Sequence, residues 1–202
     1  MMLQWLRGLF QPRNHDQTEA PPTAPEAPPT METAGSRAPL EADPVAALLP
    51  FQIRPLNRND MSHLLDVFRE AIQVNAANDY NQQQRDAWSH AQSHDSLISV
   101  LSEGDTVVAE WDDKLVGFAH RIRDYINMVF VHPVASRVGI ATLLYQHLED
   151  GARIDGITEL TTHASLTAHD FFAYMGFTSE GQEQAERDGV PLTRHRMRKS
   201  LI

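Results

Sequence analysis

Apolar residues recur with regular periods only beyond the first quarter of the chain. Residues 51–56 predict a short strand, and apolar positions in 61–72 follow the three-and-four spacing of one buried helix face. Asn59 or Asp60 is the predicted cap of that helix, because a short polar side chain can accept a hydrogen bond from its first turn. Residues 75–101 then predict helical pieces joined by polar loops.

The rest of the chain alternates strands with helices. The predicted elements are a hairpin of strands 106–110 and 115–119, a strand at 126–131, a helix at 139–154, a strand at 160–164, a short helix ending at Gly176, and two strands around Asp188-Gly189. Helices placed between strands in this order are typical of a mixed α/β layer. We therefore predict one α/β (α+β mixed) domain over residues 51–202.

The first 50 residues have a different composition. Nine of the twelve prolines fall between Pro12 and Pro50, and residues 11–50 contain few large apolar side chains. Such a segment buries too little surface to offset the entropy lost on ordering, so it is interpreted as a disordered linker. Residues 1–10 are short and apolar and permit two interpretations, a peripheral docking helix or a disordered start.

Charge and cysteine content exclude several classes of protein. The formal net charge is −10, and residues 1–50 hold only three basic and six acidic side chains, so most of the excess lies in the predicted domain. An acidic surface disfavours non-specific nucleic-acid binding. The chain has no cysteine, which excludes a cysteine nucleophile, a thiolate metal site and disulfides. No apolar run reaches the roughly 20 residues of a membrane-spanning helix, and we expect a cytoplasmic protein without an integral membrane segment.

The strongest chemical signal is the passage from the strand at 126–131 into the helix at 139–154. A loop with Pro133 stops strand pairing, and the helix begins with the small residues Gly139 and Ala141. The first backbone N–H groups of a helix lack internal partners and lie at the positive end of its dipole. Small residues there allow a diphosphate to approach the main chain closely. The sequence therefore predicts an anion cradle made of backbone.

Two other phosphate cradles do not fit this segment. A P-loop requires Gly-Lys-Ser/Thr, whereas Gly139 is followed by Ile140 and Ala141. A dinucleotide fold places Gly-x-Gly-x-x-Gly directly after its strand. Here seven residues separate Val131 from Gly139, and the third glycine position is Leu144. A third interpretation of this segment is an acyl-CoA cradle.

This segment resembles the signature of the GNAT family of N-acetyltransferases, Gln/Arg-x-x-Gly-x-Gly/Ala, often preceded by Val-x-Pro. The chain has Ser136-Arg137-Val138-Gly139-Ile140-Ala141 after Val131-His132-Pro133, so Ser136 departs from the first position. Further segments resemble one bacterial GNAT subgroup, namely Ile53-Arg54-Pro55 with Asp60, Asp79-Tyr80 with Trp88, 115–118, 164–168, Phe171-Phe172 and Gly176-Phe177. The resemblance spans residues 51–202 and implies a GNAT-like acyl-CoA N-acyltransferase fold, in which helices flank a mostly antiparallel central sheet.

The resemblance also implies transfer of an acetyl group from acetyl-CoA to a primary amine of a small molecule or peptide. Backbone groups of Val129 and Val131 would pair with the pantetheine arm, and the Val131 amide would stabilise the oxyanion formed when the amine attacks. The diphosphate would be held by the turn residues Arg137, Val138, Gly139, Ile140, Ala141 and Thr142. A homodimer through the last strands is an expectation from the family alone.

The resemblance does not indicate a catalytic acid or base. Many family members have a tyrosine four residues before the glycine of Gly176-Phe177, and that position is Phe172 here. A protonated amine must lose a proton before it attacks, and the departing thiolate gains from a proton donor. The candidates near the central strands are Asp124, Tyr125, Ser165, His120 and His163. Water could also serve as the base.

Other functions stay open at this point. Phe172 and Ser136 are compatible with a non-catalytic acyl-CoA-binding or interaction module. Alternatively, residues 1–50 could be the functional element and tether the domain to a partner or a membrane surface.

Three further patterns have plain structural interpretations. His90 and His94 could lie on one helix face, but without a carboxylate partner they are read as a surface pair, and no metal is expected. His132 is assigned a structural role or a place at the cofactor's edge. The last basic residues are interpreted as the solvent-facing side of a strand and comprise Arg194, Arg196, Arg198 and Lys199.

Overall fold

The structure, a computed structural model, describes residues 51–202; the predicted segment 1–10 and linker 11–50 lie outside the described residues. The strands are β1 Phe51–Pro55, β2 Asp105–Trp111, β3 Lys114–Ile122, β4 Tyr125–Val131, β5 Glu159–Ser165, β6 Thr178–Arg187 and β7 Val190–Ser200. The helices are α1 Met61–Glu70, α2 Gln82–His90, α3 His94–Leu101, α4 Ile140–Ile154 and α5 Leu166–Tyr174. The predicted mixed α/β fold class is confirmed.

The seven strands form one sheet in the order β1-β2-β3-β4-β5-β7-β6. All neighbours pair antiparallel except β4 and β5, which run parallel. Within the described region these two strands pair only at Tyr125–Thr161 and Ile126–Thr162. Beyond Ile126 they separate, and the second half of β4 therefore has β3 on one side and an opening on the other.

Helices cover both faces of the sheet. One core cluster joins α4 and α5 to the sheet and includes Ile140, Leu144, Leu148 and Phe172. The other joins α1 and α3 to the opposite face and includes Leu64, Phe68, Leu97 and Phe118. The opening between β4 and β5 thus lies between two helical layers.

Gly117 of β3 lets α4 approach the sheet closely. A Cβ atom at this position would lie 3.0 Å from the Phe130 carbonyl oxygen, and 3.2 and 3.3 Å from the side chains of Leu144 and Ile140. Such contacts would push the first turns of α4 away from the sheet. The glycine therefore helps to set the start of α4 beside the end of β4.

The predicted capping of the first helix needs a correction. Asp60 directly precedes α1, but its side chain makes no capping bond to that helix. Its carboxylate instead accepts from the Arg54 guanidinium at 2.7 Å and from the Asn57 N–H at 2.7 Å. Arg54 also donates to Glu110 at 2.6 Å. The Asp60 carboxylate therefore ties β1 and β2 to the entry of α1.

Arg121 is a buried cation near the end of β3, and its truncation is expected to destabilise the fold. The residue is 2% exposed, and its guanidinium donates to Asp105, to Asp155 at 2.6 Å and to the Arg123 carbonyl at 2.5 Å. Arg121→Ala should lower the free energy of unfolding by roughly 3 kcal/mol, because it leaves a cavity and removes charge-assisted hydrogen bonds.

Urea denaturation measures this effect, with Arg123→Ala as the control because Arg123 is exposed. Asp105 and Asp155 are 58% and 55% exposed, so water can solvate them once the arginine is gone. A loss below about 1 kcal/mol would show that the guanidinium contributes little beyond its two hydrated partners.

Candidate active site

The open edge of β4 presents unpaired backbone groups. The His132 N–H donates to the Val116 carbonyl of β3 at 2.8 Å. Because backbone polar groups alternate sides along a strand, the N–H groups of Val131 and Val129 face away from β3 and into the opening. The two valine side chains pack against the α4 side of the core. An extended ligand can therefore pair with this edge as an added strand would.

Asn75 connects the end of β4 to the loop that follows it. Its amide nitrogen donates to the Val131 carbonyl at 2.9 Å, and its amide oxygen accepts from the Ser136 hydroxyl at 3.3 Å. Asn75 ends a π-helical turn, Ala71–Asn75, directly after α1. This contact gives Ser136, the residue that departs from the family signature, a partner suited to a short hydroxyl side chain.

The turn into α4 has the conformation that a backbone cradle requires. Arg137 and Gly139 have φ values of +67° and +93°. The Leu143 N–H donates to the Gly139 carbonyl at 3.2 Å and is the first donor of the helical pattern, so the N–H groups of Ile140, Ala141 and Thr142 have no acceptor within the helix. Arg137, Val138 and Gly139 are exposed, whereas the Ile140 side chain is buried and anchors the turn.

Gly139→Ala is expected to weaken acetyl-CoA binding by about tenfold or more, measured by isothermal titration calorimetry. Its φ of +93° disfavours a side chain, and a Cβ would meet no protein atom within 4 Å, so it would occupy the space above the cradle. Gly156→Ala is the matched control. Gly156 has a φ of +75° and equally open surroundings but lies just beyond the other end of α4. Equal affinity losses in both variants would contradict a cradle at Gly139.

Tyr125 and His163 form a hydrogen-bonded pair at the root of the opening. The Tyr125 hydroxyl lies 2.9 Å from His163 Nδ1, and His163 Nε2 lies 3.6 Å from Glu183 Oε1. A phenol that donates to Nδ1 leaves the imidazole proton on Nε2, facing the Glu183 carboxylate. Glu183 is in turn held by Arg194, whose Nη2 lies 2.6 Å from Oε1.

The environment keeps both members of this pair uncharged at neutral pH. Burial lowers the pKa of His163, and the nearby Arg194 guanidinium lowers it further. Burial raises the pKa of the Tyr125 phenol, although Arg194 acts in the opposite direction. A protonated phenol beside a neutral imidazole can pass a proton in either direction.

The other predicted proton-transfer candidates have structural contacts. His120 is fully buried, its Nε2 lies 2.6 Å from the Glu103 carbonyl oxygen, and its Nδ1 lies 3.0 Å from the Asn127 amide nitrogen. The Ser165 hydroxyl accepts from the Ala168 N–H at 3.1 Å and caps α5. Asp124 is exposed in the β3–β4 turn, and its backbone carbonyl accepts from the Thr161 N–H at 2.8 Å. The structure brings only Tyr125 and His163 together.

The structure also places the histidines that were considered as metal ligands or cofactor contacts. His90 ends α2 and His94 begins α3, so they do not share one helix face, and both are exposed as a surface pair would be. His132 Nδ1 accepts from the Val134 N–H at 3.3 Å, which is a structural contact in the loop before α4. Among residues 51–202, no group of three or more histidine, aspartate or glutamate side chains is close enough to hold a metal ion.

Three residues of this site were missed by sequence reasoning as functional candidates. Asn75 lies in a polar loop, and Glu183 and Arg194 lie in a hairpin whose charges alternate as on any exposed strand. Their proximity arises from the sheet register, in which His163 is opposite Arg196 and Ser165 is opposite Arg194. Glu183 is opposite Arg194 on the next strand. No local sequence signal could have indicated these contacts.

A splayed sheet whose open strand edge leads to a backbone anion cradle defines an acyl-CoA-dependent N-acyltransferase. Residues 76–201 match the family model described as an acetyltransferase (GNAT) domain. Over 147 residues the chain is 36% identical to an uncharacterized N-acetyltransferase, YafP, of Escherichia coli (strain K12). The aligned region covers 73% of this chain and 94% of that protein. The chain belongs to the GNAT family of acetyltransferases.

Solved structures show the same fold. A GCN5-related N-acetyltransferase from Rhodopseudomonas palustris superposes with a TM-score of 0.72 at 31% identity, covering 74% of this chain and 95% of that chain. YncA of Salmonella typhimurium, a putative acetyltransferase solved with its cofactor acetyl-CoA, superposes with a TM-score of 0.53 at 22% identity, covering 75% and 94%. In the described residues, no helix is both long and apolar enough to cross a membrane.

Proposed function

We propose that the chain transfers an acetyl group from acetyl-CoA to a primary amine by direct attack. The observation that carries the proposal is the open edge of β4, whose Val129 and Val131 N–H groups lead to the cradle at the start of α4. The acetyl-CoA bound to the structural neighbour YncA supports this choice of donor.

The residues present suit such a donor. The N–H groups of Ile140, Ala141 and Thr142 would hold the diphosphate. The pantetheine arm would leave the cradle and follow β4 towards the root of the opening, where it meets Val131 first and Val129 afterwards. We therefore place the thioester carbonyl at the Val129 amide, in place of the Val131 amide that the resemblance implied. Asn75 would fix the end of this edge through the Val131 carbonyl.

In this proposal, Tyr125, His163 and Glu183 carry the proton. As the amine nitrogen attacks, the C–N bond forms and the Val129 N–H stabilises the carbonyl oxygen that becomes negative. Tyr125 accepts a proton from the amine while its own proton passes to His163 Nδ1. Glu183 stabilises the resulting imidazolium. When the C–S bond breaks, the proton returns through Tyr125 to the thiolate, and the enzyme regains its starting state.

The proposed proton route does not require a hydroxyl group at Phe172. It is 4% exposed and packs against the rings of Tyr145, Phe171 and Phe177 in the core. The hydroxyl that many family members have at this position is replaced, in our proposal, by that of Tyr125. Catalysis therefore does not depend on a tyrosine in α5.

The full chain, incubated with acetyl-CoA and a panel of amines, amino acids and peptides, should release free coenzyme A with at least one acceptor. Calorimetric titration with acetyl-CoA accompanies this assay. Binding without turnover across the panel would favour the non-catalytic acyl-CoA-binding module, and absence of binding would contradict both functions.

Two broader expectations remain proposals. A cytoplasmic location fits the absence of cysteine, since disulfides are rare in reducing compartments. A homodimer through the last strands is expected only from family resemblance.

A further inference from the structure

The clearest charged feature outside the cradle is a group of arginines on β7, next to the Tyr125–His163 pair. Arg194 Nε and Nη2 donate to Glu183 Oε1 at 2.7 and 2.6 Å, and Arg196 Nε lies 3.7 Å from Glu183 Oε2. The prediction that the basic residues of β7 form a solvent-facing stripe is wrong for Arg194 and Lys199, whose side chains are only 19% and 18% exposed. Two guanidinium groups thus share one carboxylate, which leaves a positive charge in excess.

This excess charge is adjacent to the proposed reaction centre. Glu183 Oε1 lies 3.6 Å from His163 Nε2, and Arg196 is directly opposite His163 in the strand register. Arg194 and, more weakly, Arg187 lower the pKa of the Tyr125 phenol against the larger effect of burial. The arginines therefore act electrostatically on the group that would meet the attacking amine.

Arg194 is 19% exposed and closely bound by Glu183, whereas Arg196 is 52% exposed and lies 3.7 Å from the same carboxylate. A guanidinium that is only partly neutralised favours an anionic ligand, because it binds carboxylate or phosphate oxygens with directed hydrogen bonds. The same charge also acts on the acceptor's amine. Nearby cations lower the pKa of an ammonium group, so more of the amine is in the neutral form that attacks a thioester. An acceptor with a second cationic group would be repelled. The formal net charge of the chain is −10, so this basic group would concentrate anions locally on an otherwise acidic chain.

We infer that the acceptor is an amine carrying an anionic oxyacid group, which Arg194 and Arg196 bind while the amine faces Tyr125. This inference rests on the proposed acetyl transfer and specifies its substrate class. Carboxylate and phosphonate acceptors share the required chemistry.

The test compares matched acceptors with the full chain. An α-amino acid, the amine produced by its decarboxylation and its α-aminophosphonic analogue differ only in the oxyacid group. We expect kcat/KM for one or both anionic acceptors to exceed that of the neutral-tailed amine by at least about tenfold, the factor that corresponds to one good charge-assisted interaction. Which anionic acceptor is preferred distinguishes a carboxylate from a phosphonate. Equal rates for all three, or preference for the plain amine, would overturn the inference.

Arginine variants then assign the preference to the proposed residues. Arg196→Gln should reduce it to within about threefold, because the guanidinium is lost while Glu183 keeps Arg194. Arg198→Gln is the matched control. Arg198 lies two residues further along β7, is 54% exposed and pairs with Glu159 and Glu180 instead. An unchanged preference in Arg196→Gln, or an equal loss in Arg198→Gln, would contradict the assignment.

A binding measurement separates failure of this inference from failure of the proposed function. If no acceptor is turned over, N-acetyl amino acid and N-acetylamine are titrated calorimetrically into the coenzyme A-loaded chain. Selective binding of the anionic product that is lost in Arg196→Gln would support the anion site without acetyl transfer. Turnover without preference would support acetyl transfer and reject the anion site. Absence of binding by either product, or equal binding of both, would also reject the site.

Discussion

Tyr125→Phe should lower kcat on the order of 10² to 10⁴-fold, the range expected when one general acid–base group is removed. The substitution keeps the ring and removes only the hydroxyl that lies 2.9 Å from His163 Nδ1. Neither the cradle nor the β4 edge is altered, so the affinity for acetyl-CoA should be unchanged. Steady-state kinetics with the best acceptor, combined with calorimetric titration of acetyl-CoA, measure the two effects separately.

The control is Tyr174→Phe, because Tyr174 is 81% exposed at the end of α5 and has no place in the proposed route. If Tyr125→Phe retained kcat within about threefold of the parent chain, the phenol would not carry the proton, and water would replace it as the base. His163→Gln should also reduce kcat, because a glutamine side chain cannot take up the proton that Tyr125 releases.

The pH dependence of the same reaction follows from the two environments. The route needs neutral His163, and burial lowers its pKa, so activity should persist below the ordinary histidine pKa of about 6.5 and fall only in more acidic solution. Burial raises the pKa of Tyr125 above its ordinary value of 10.0, so this group should not limit the rate at moderately alkaline pH. Any alkaline rise in kcat/KM would then report deprotonation of the acceptor amine. Loss of the acidic limb in His163→Gln would assign that limb to His163.

Much of this fold could be predicted from the sequence, because most strands and helices are indicated by the local spacing of apolar residues. The helix 139–154 and the strand 126–131 follow from apolar spacing, and the structure has α4 and β4 within one residue of those bounds. The cradle was equally local, since Gly139 and Ala141 sit at the helix start. These features can be predicted from residues that are close together in the sequence.

The proton-transfer group could not be predicted in the same way. Tyr125 was one of several candidates until the sheet register brought it to His163, 38 residues later in the chain. Asn75 contacts Val131 over 56 residues, and no pattern in a polar loop indicates such a contact. His90 and His94 have a helical spacing, but a short turn between two helices separates them. Contacts set by register and by helix ends are determined by the whole fold.

Val129→Pro tests the proposed oxyanion donor and is expected to have the second large effect. The Val129 N–H faces the opening and makes no bond to β3, so proline removes that donor without breaking the β3–β4 ladder. We expect kcat to fall on the order of 10² to 10³-fold, as when one oxyanion-hole donor is lost. The free energy of unfolding should change by less than about 1 kcal/mol, because proline is tolerated where a strand edge is open.

Two neighbouring substitutions make this test specific. Phe130→Pro removes an N–H on the side of β3 together with a ring that packs against Phe68, Trp88 and Phe118, so it should destabilise the domain by at least about 3 kcal/mol. Val131→Pro removes the donor nearer the cradle and should weaken acetyl-CoA binding more than it lowers kcat. If Val129→Pro kept its full kcat while remaining folded, the carbonyl oxygen would have to lie elsewhere along β4. A decrease in kcat for Val131→Pro alone would return the oxyanion to the position that family resemblance first implied.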